Sequence, residues 1–357
     1  MFNLINYFFM KKKRIFFGLF LLAVAGLWTG CSNDDEVANT SRDKQAISFY
    51  VQSGTPILRA GGTTESYVNA FVVYGTDNEA VANSLPNIFN GITVARQAGS
   101  ANTFDYNPKK YYSEGAANAV FAAYSPVSKF ISGTSFVFGT GFSFNYTVPA
   151  PGSQGTGNTA QEDLLVAGIT AATPTPTVHF AFQHALARIF VKATSALSET
   201  VTIKGLTLKN LHSSGTITGT PAAGTPWEYP AAWNWATSGA RTYDYSYELA
   251  DAGMAVQANQ TTPILVTSME QGMMIIPQDI VNTGDDVTAD DFALEVVYDL
   301  ANLTGKVAYI YLTDGYSFEM GNQYAITIDF NPTIVPDVIE IGFTISVNAF
   351  GPIIDAN

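Results

Sequence analysis

The stretch Val178–Ala193 reads V-H-F-A-F-Q-H-A-L-A-R-I-F-V-K-A. Val178, Phe180, Phe182, His184 and Leu186 alternate with smaller or polar residues, the period of a strand with one buried face. The phase then slips by one, and Ile189 and Val191 carry the apolar face onward, so a bulge or break is expected near Ala185–Ala187. A helix is the competing reading, because Phe182, Ala185, Leu186, Ile189 and Phe190 also fit a 3.6-residue period. The rest of the chain favours the strand, since nearly every other apolar segment is short and alternating. A Pro/Thr connector, A-A-T-P-T-P-T at 171–177, precedes the stretch, which therefore opens a second structural unit.

Composition points the same way. The 357 residues suffice for two domains of ordinary size. Charged and aromatic residues each make up 13%, too aromatic for a disordered chain and too weakly charged for a coiled coil or a nucleic-acid-binding arm. Thirty glycines and 16 prolines scattered among short apolar runs indicate many turns and an all-β protein. Expected strands in the first half are Ala46–Val51, Tyr67–Tyr74 and Ala119–Pro126, with a turn at Asn90-Gly91 and a hairpin or kinked strand over Ser135–Val148. The second half holds Thr200–Leu208, Pro263–Val266, Gly272–Ile276, Phe292–Tyr298, Lys306–Leu312 and Gln323–Phe330. Pro226–Tyr247 and the acidic loop Asp285–Asp291 break the β pattern.

The net charge is −13. Residues 1–30 hold four basic residues and no acid, so without them 13 basic residues face 30 acidic ones, a net −17. Such a chain repels nucleic acid and anionic lipid, and neither is expected as a partner. Cys31 is the single cysteine, so no disulfide forms within the chain.

The N-terminus reads as a secretory signal: Lys11-Lys-Lys-Arg14, then an apolar core from Ile15 to Leu27, too short for a stable membrane span. Met10 is a plausible true start. Trp28-Thr-Gly-Cys31 resembles a lipobox, with small residues at Thr29 and Gly30 and Cys31 as the lipid acceptor. An acidic, polar tether follows at Ser32–Glu36.

Catalytic signatures are absent: no H-E-x-x-H, G-x-S-x-G, Walker loop, dinucleotide fingerprint or C-x-x-C, so neither enzyme nor cofactor is expected. His179 and His184 are five apart, so on one strand they face opposite sides and share no metal; His184 reads as a hydrogen-bonded core residue. Asp285, Asp286, Asp290 and Asp291 lack the spacing of a calcium loop and read as a solvated turn. Trp227, Trp233 and Trp235 are the candidates for glycan contact, because flat indole faces stack on sugars; packing in a core serves them equally.

Two motifs in order, Q-E-D-L-L-V-A at Gln161–Ala167 and F-Q-H-A-L-A-R-I-F-V at Phe182–Val191, resemble the fimbrillin family of Bacteroidales, lipoprotein pilins and related surface proteins. M-M-I-I-P-Q at Met273–Gln278 and G-N-Q-Y-A-I-T-I at Gly321–Ile328 extend the resemblance towards the C-terminus, and Asp105–Tyr112 with Ala119–Pro126 towards the N-terminus. It implies two tandem transthyretin-like β-sandwich domains, 46–174 and 175–357, after a signal peptide (1–30) and a tether (31–45). It also implies display on the outer face of the outer membrane, acylation (palmitate) at Cys31, and other fimbrial subunits, self or related, as partners.

Two further implications rest on the resemblance. Arg59 sits in a glycine-flanked loop, where a trypsin-like, arginine-specific protease would cut before Ala60; on spacing alone it is an ordinary loop arginine. In the C-terminal run, Ile339, Ile341, Phe343, Ile345 and Val347 alternate strictly with Glu340, Gly342, Thr344 and Ser346. On pattern alone this is the last strand of its own domain. The resemblance makes it a donor strand that fills the groove left when cleavage removes Ile47–Val51 from a neighbouring subunit.

Overall fold

The computed structural model describes residues 45–51, 68–77, 86–100, 102–128, 130–149, 161–222, 226–237, 239–267, 272–280, 291–301, 303–312, 316–332 and 339–349. Among these, every regular element is a strand. The first half contributes β1 (Ser48–Val51), β2 (Ala70–Thr76), β3 (Phe89–Arg96), β4 (Thr103–Asp105), β5 (Asn118–Ser125), β6 (Ile131–Val137) and β7 (Gly141–Thr147). The middle of the chain gives β8 (Leu165–Ala172), β9 (Thr177–Phe180), β10 (Gln183–His184), β11 (Ala187–Ser195), β12 (Val201–Leu211) and β13 (Ser214–Gly219). Then follow β14 (Trp233–Thr237), β15 (Tyr243–Glu248), β16 (Met254–Val256), β17 (Ile264–Leu265), β18 (Met273–Ile275) and β19 (Gln278–Asp279). The last five are β20 (Ala293–Leu300), β21 (Leu303–Tyr311), β22 (Ser317–Phe318), β23 (Asn322–Pro332) and β24 (Ile339–Ala349).

The stretch Val178–Ala193 is three strands, not one. β9 and β10 belong to an eight-stranded sheet of order β10-β8-β5-β2-β3-β4-β1-β9, whose two ends are therefore joined by two residues, Ala181 and Phe182. The sheet curls on itself around a core of Phe49, Phe71, Phe89, Phe121, Phe180 and Phe182, among others. At Ala185-Leu186 the chain leaves that sheet, and β11 enters another, of order β17-β11-β23-β24. The expected phase slip is thus a change of sheet rather than a bulge. β11 pairs in parallel with β23 on one side and antiparallel with β17 and β18 on the other. Buried on both faces, it loses the clean alternation that distinguishes a strand from a helix.

The change of sheet falls between His184 and Ala187, beyond the connector at 171–177. Strand pairing also links the two halves, because β7 pairs with β13 in the sheet β14-β13-β7-β6. The sheet β15-β12-β20-β21 packs on the β11–β23 sheet. One continuous core runs from Phe142 and Phe144 through Trp227 and Ile189 to Leu206, Val296 and Ile328, and residues Ala46–Asn357 form one compact unit.

Two local expectations are corrected. Asn90-Gly91 is not a hairpin turn: β3 runs through it, and Gly91, at φ 70°, is an extra residue inserted where the β2–β3 register shifts. A left-handed glycine serves a bulge as well as a turn, which explains the misreading. Pro226–Tyr247 is not a break in the β pattern, since it carries β14 and most of β15. Ser135–Val148 is a hairpin of β6 and β7, with Gly139 and Gly141 at positive φ.

Candidate assembly site

The first and last strands stand apart from the others. β1 lies between β4, to which it is antiparallel, and β9, to which it is parallel. Its alternation is strict: Ile47, Phe49 and Val51 point into the core, while Ser48 and Tyr50 are half-exposed. The Phe49 ring meets Phe71, Phe89, Tyr106 and Phe180 at centroid distances of 5.7, 5.2, 5.7 and 5.6 Å. Backbone groups hold it as well: the Ile47 amide donates to Lys110 O (2.9 Å), Ser48 to Pro176 O (2.8 Å) and Val51 to Asn102 O (3.2 Å). Tyr106 Oη donates to Ile47 O at 2.6 Å. Burying those three side chains contributes on the order of 6 kcal/mol. Removing the segment would expose that surface and leave the facing edges of β4 and β9 unpaired.

β24 is the end strand of its sheet, paired along its whole length with β23, from Pro332↔Ile339 to Asn322↔Ala349. Ile341, Phe343 and Ile345 face the core but stay half-buried, and Val347 is 48% exposed. Its neighbour β23 is better seated: Tyr324, Ile326, Ile328 and Phe330 are fully enclosed. The two strands share a pattern. Ile47-Ser-Phe49-Tyr-Val51 and Ile341-Gly-Phe343-Thr-Ile345 both place phenylalanine at the centre of two branched aliphatics, at the same spacing. A search for pairs of matching alternations would have found it.

The other candidates are placed as follows. Cys31, Arg59 and Ala60 lie outside the described residues, as do Asp285, Asp286 and Asp290. Asp291 is buried, and its carbonyl accepts a hydrogen bond from Asn210 Nδ2 at 2.8 Å. Trp227 and Trp233 are core residues, 0% and 1% exposed, each seated on a glycine of a neighbouring strand, Gly168 and Gly219. Trp233 Nε1 donates to Trp227 O (3.0 Å), and the half-buried Trp235 donates to Ala185 O (2.7 Å). The indole faces of Trp227 and Trp233 are therefore closed to a sugar, and packing explains the cluster. His184 is buried with its Nδ1 2.8 Å from Asp163 Oδ2. His179, on β9, lies beside the Tyr50 ring at 5.0 Å, at the opposite end of the sheet order from His184. Burial, aided by the charge of Arg241, lowers the His212 pKa. Among the described residues no three His, Cys, Asp or Glu side chains converge on a metal position, and no helix is long and apolar enough to cross a membrane.

The fold is that of known fimbrial proteins. A fimbrial protein from Bacteroides vulgatus is similar with a TM-score of 0.57 and 15% identity, over 85% of this chain and 99% of that one. A protein assigned to cell adhesion from Bacteroides ovatus is similar with a TM-score of 0.52 and 14% identity, over 87% and 99%. No curated protein sequence matches the chain. The fimbrillin-like family model matches residues 59–347, most of the chain. An all-β sandwich fold with this match has one reading: the chain belongs to the fimbrillin-like family, whose members are structural and adhesive proteins of the cell surface rather than enzymes.

Proposed function

We propose that this chain is a fimbrial subunit or pilus-associated adhesin assembled by strand replacement. It is exported as a lipoprotein, acylated at Cys31 and displayed on the outer membrane. An arginine-specific protease then cuts between Arg59 and Ala60, eight residues beyond the end of β1. The lipid and β1 depart together, and the C-terminal strand of another subunit fills the vacated groove between β4 and β9.

The observation that carries this reading is the match between the two strands. Phe343, flanked by Ile341 and Ile345, repeats the side-chain set that Phe49, Ile47 and Val51 bury. The pattern is symmetric about phenylalanine, so Phe343 takes the place of Phe49 whichever way the incoming strand runs. β24 is suited to leave its own sheet because it sits at an end and is only half-buried. Burying its five apolar side chains contributes on the order of 10 kcal/mol before the entropy of ordering is subtracted. The reading as a glycan-binding lipoprotein through the tryptophan segment loses its support with the burial of Trp227 and Trp233.

The test is electron microscopy of the purified full chain before and after treatment with an arginine-specific protease. Fibres should appear only after cleavage, and a chain lacking Ile339–Asn357 should fold and be cleaved without forming any. Fibres from the truncated chain would refute the donor role.

A further inference from the structure

We propose that β11 and β23 form a mechanical clamp, the element that carries tension through the subunit in a fibre. The clamp rests on the strand replacement proposed above, which sets where force enters and leaves. Force enters at the groove, through β4 and β9, where another subunit's strand is held. It leaves at Pro332, the end of β23, from which the chain runs on to β24. From β9 the chain passes through β10 and Ala185-Leu186 directly into β11. The pull therefore reaches β11 at its N-terminal end and β23 at its C-terminal end.

Strand direction decides what that pull does. β11 and β23 are parallel over eight consecutive pairs, from Arg188↔Gln323 to Ser195↔Phe330. Their N-terminal ends lie side by side, so the two pulls act at opposite ends of the pair. The strands are dragged lengthwise past one another, and the whole ladder of slanted backbone hydrogen bonds must yield together. An antiparallel pair in the same place would take both pulls at one end and open one residue pair at a time. The parallel arrangement needs a long crossover, and the chain supplies one in residues 196–321, from β12 to β22.

Packing reinforces the pair. Ala187, Ile189, Phe190, Val191 and Ala193 of β11 are buried, on both faces of the strand, and Tyr324, Ile326, Ile328 and Phe330 of β23 are enclosed beside them. Water that would compete for the backbone groups is thereby excluded. Both ends of the pair are pinned. At the first, Arg188 is wholly enclosed, with its Cζ 4.3 Å from the centre of the Phe190 ring. It feels the charge of Asp163, whose Oδ2 lies 2.8 Å from His184 Nδ1. Sliding β11 would draw this buried cation away from the groups that stabilise it. At the other end Thr194 Oγ1 donates to the Asp329 carboxylate across the pair, and the Ala196 amide donates to Phe330 O at 2.9 Å.

The test is single-molecule force spectroscopy of the full, uncleaved chain, with Cys31→Ser so that two engineered cysteines are the only handles. His179→Cys with Pro332→Cys, both at exposed positions, loads the pair at opposite ends. His179→Cys with Asn322→Cys, at a half-buried position, loads the same two strands at the same end. The first handle is common to both proteins, so any peeling of residues 180–186 is common too. At equal pulling speed the first protein should break at about twofold higher force or more, with the two melting temperatures alike. Thr194→Ala should lower the force in the first protein and leave the second, which opens from the Arg188 end, unchanged. Equal forces in the two proteins, or a greater force in the second, would overturn the clamp. The measurement needs no fibre, so failure of the clamp and failure of strand replacement are read separately.

Discussion

The rings of Phe49 and Phe180 lie stacked, 5.6 Å apart with their planes at 6°, so the first strand is bound to β9 through its central buried side chain. Phe180 also packs edge-on against Phe71, which reaches Phe182 and Phe104. Phe49 thus closes an aromatic core that other strands otherwise complete. Its loss would leave a void of defined shape.

Phe49→Ala should destabilise the uncleaved chain by about 3–5 kcal/mol, the usual cost of emptying a buried phenylalanine site. Phe343→Ala, at a half-buried position, should cost about 1–2 kcal/mol in the same chain. Fibre stability should show the reverse order. Phe49 is absent from the cleaved product, so its substitution should leave fibres unchanged, whereas Phe343→Ala should weaken them. Denaturant melts of precursor and fibre measure both.

Gly168→Ala should destabilise by about 1–3 kcal/mol. An added Cβ would stand 2.2 Å from the Trp227 ring, and the indole has no room to withdraw because it is wholly enclosed. Urea unfolding of this variant checks the packing role of the tryptophan segment directly. Unchanged stability would mean that Trp227 moves freely.

Alkaline unfolding should be steep. Burial raises the pKa of Tyr112, Tyr124, Tyr146 and Tyr245, with Tyr124 pushed up to about 12. A folded pKa above the unfolded value of about 10 stabilises the fold fully below pH 10. That contribution is lost as pH rises towards the folded values. The last part of the tyrosinate absorbance should therefore appear together with the loss of far-ultraviolet circular dichroism, above about pH 10. Ionisation of all 18 tyrosines before any loss of structure would show that these four are accessible.

Much of the fold was legible because most strands have one wet face. β23 alternates cleanly from Tyr324 to Phe330, close to the expected Gln323–Phe330, and β12 alternates in short runs between bulges, starting where expected and running three residues past Leu208. Legibility failed where burial was two-sided or where one residue type serves two geometries. β11 is covered on both faces, so the passage from one sheet to the next inside Val178–Ala193 looked like a slip in phase. Gly91 fits a turn and a bulge equally. The tryptophans were ambiguous because indoles suit a core and a sugar alike, and only their seating on Gly168 and Gly219 decides. The final strand was visible as a strand. Its correspondence to β1 was not, because three matching side chains nearly 300 residues apart mean little until β1 is seen filling a groove between two strands.

Lipid attachment is tested by feeding a palmitate analogue to cells that make the full chain. Label should enter the parent and be absent from Cys31→Ser. The precursor should carry it and assembled material should not, because cleavage at Arg59 removes residues 31–59. Two or three acyl chains, at about 0.8 kcal/mol per buried CH2, would give lasting attachment until then.

Strand replacement is tested most directly by crosslinking between differently tagged copies, one carrying His179→Cys and the other Thr344→Cys. Both positions are exposed, so neither change disturbs the core, and on the proposed cleavage Cys31 would leave with the first segment. In the uncleaved chain Tyr50 is the residue opposite His179, and Ser48 the one opposite Thr177. With Phe343 in the place of Phe49, Thr344 comes to lie opposite His179 if the donor runs as β1 does, or opposite Thr177 if it runs the other way. After cleavage, a disulfide should join the two tags through Thr344→Cys and either His179→Cys or its companion variant Thr177→Cys. No such bond should form before cleavage. Crosslinks confined to single chains, or none at either position in fully cleaved protein, would contradict the account.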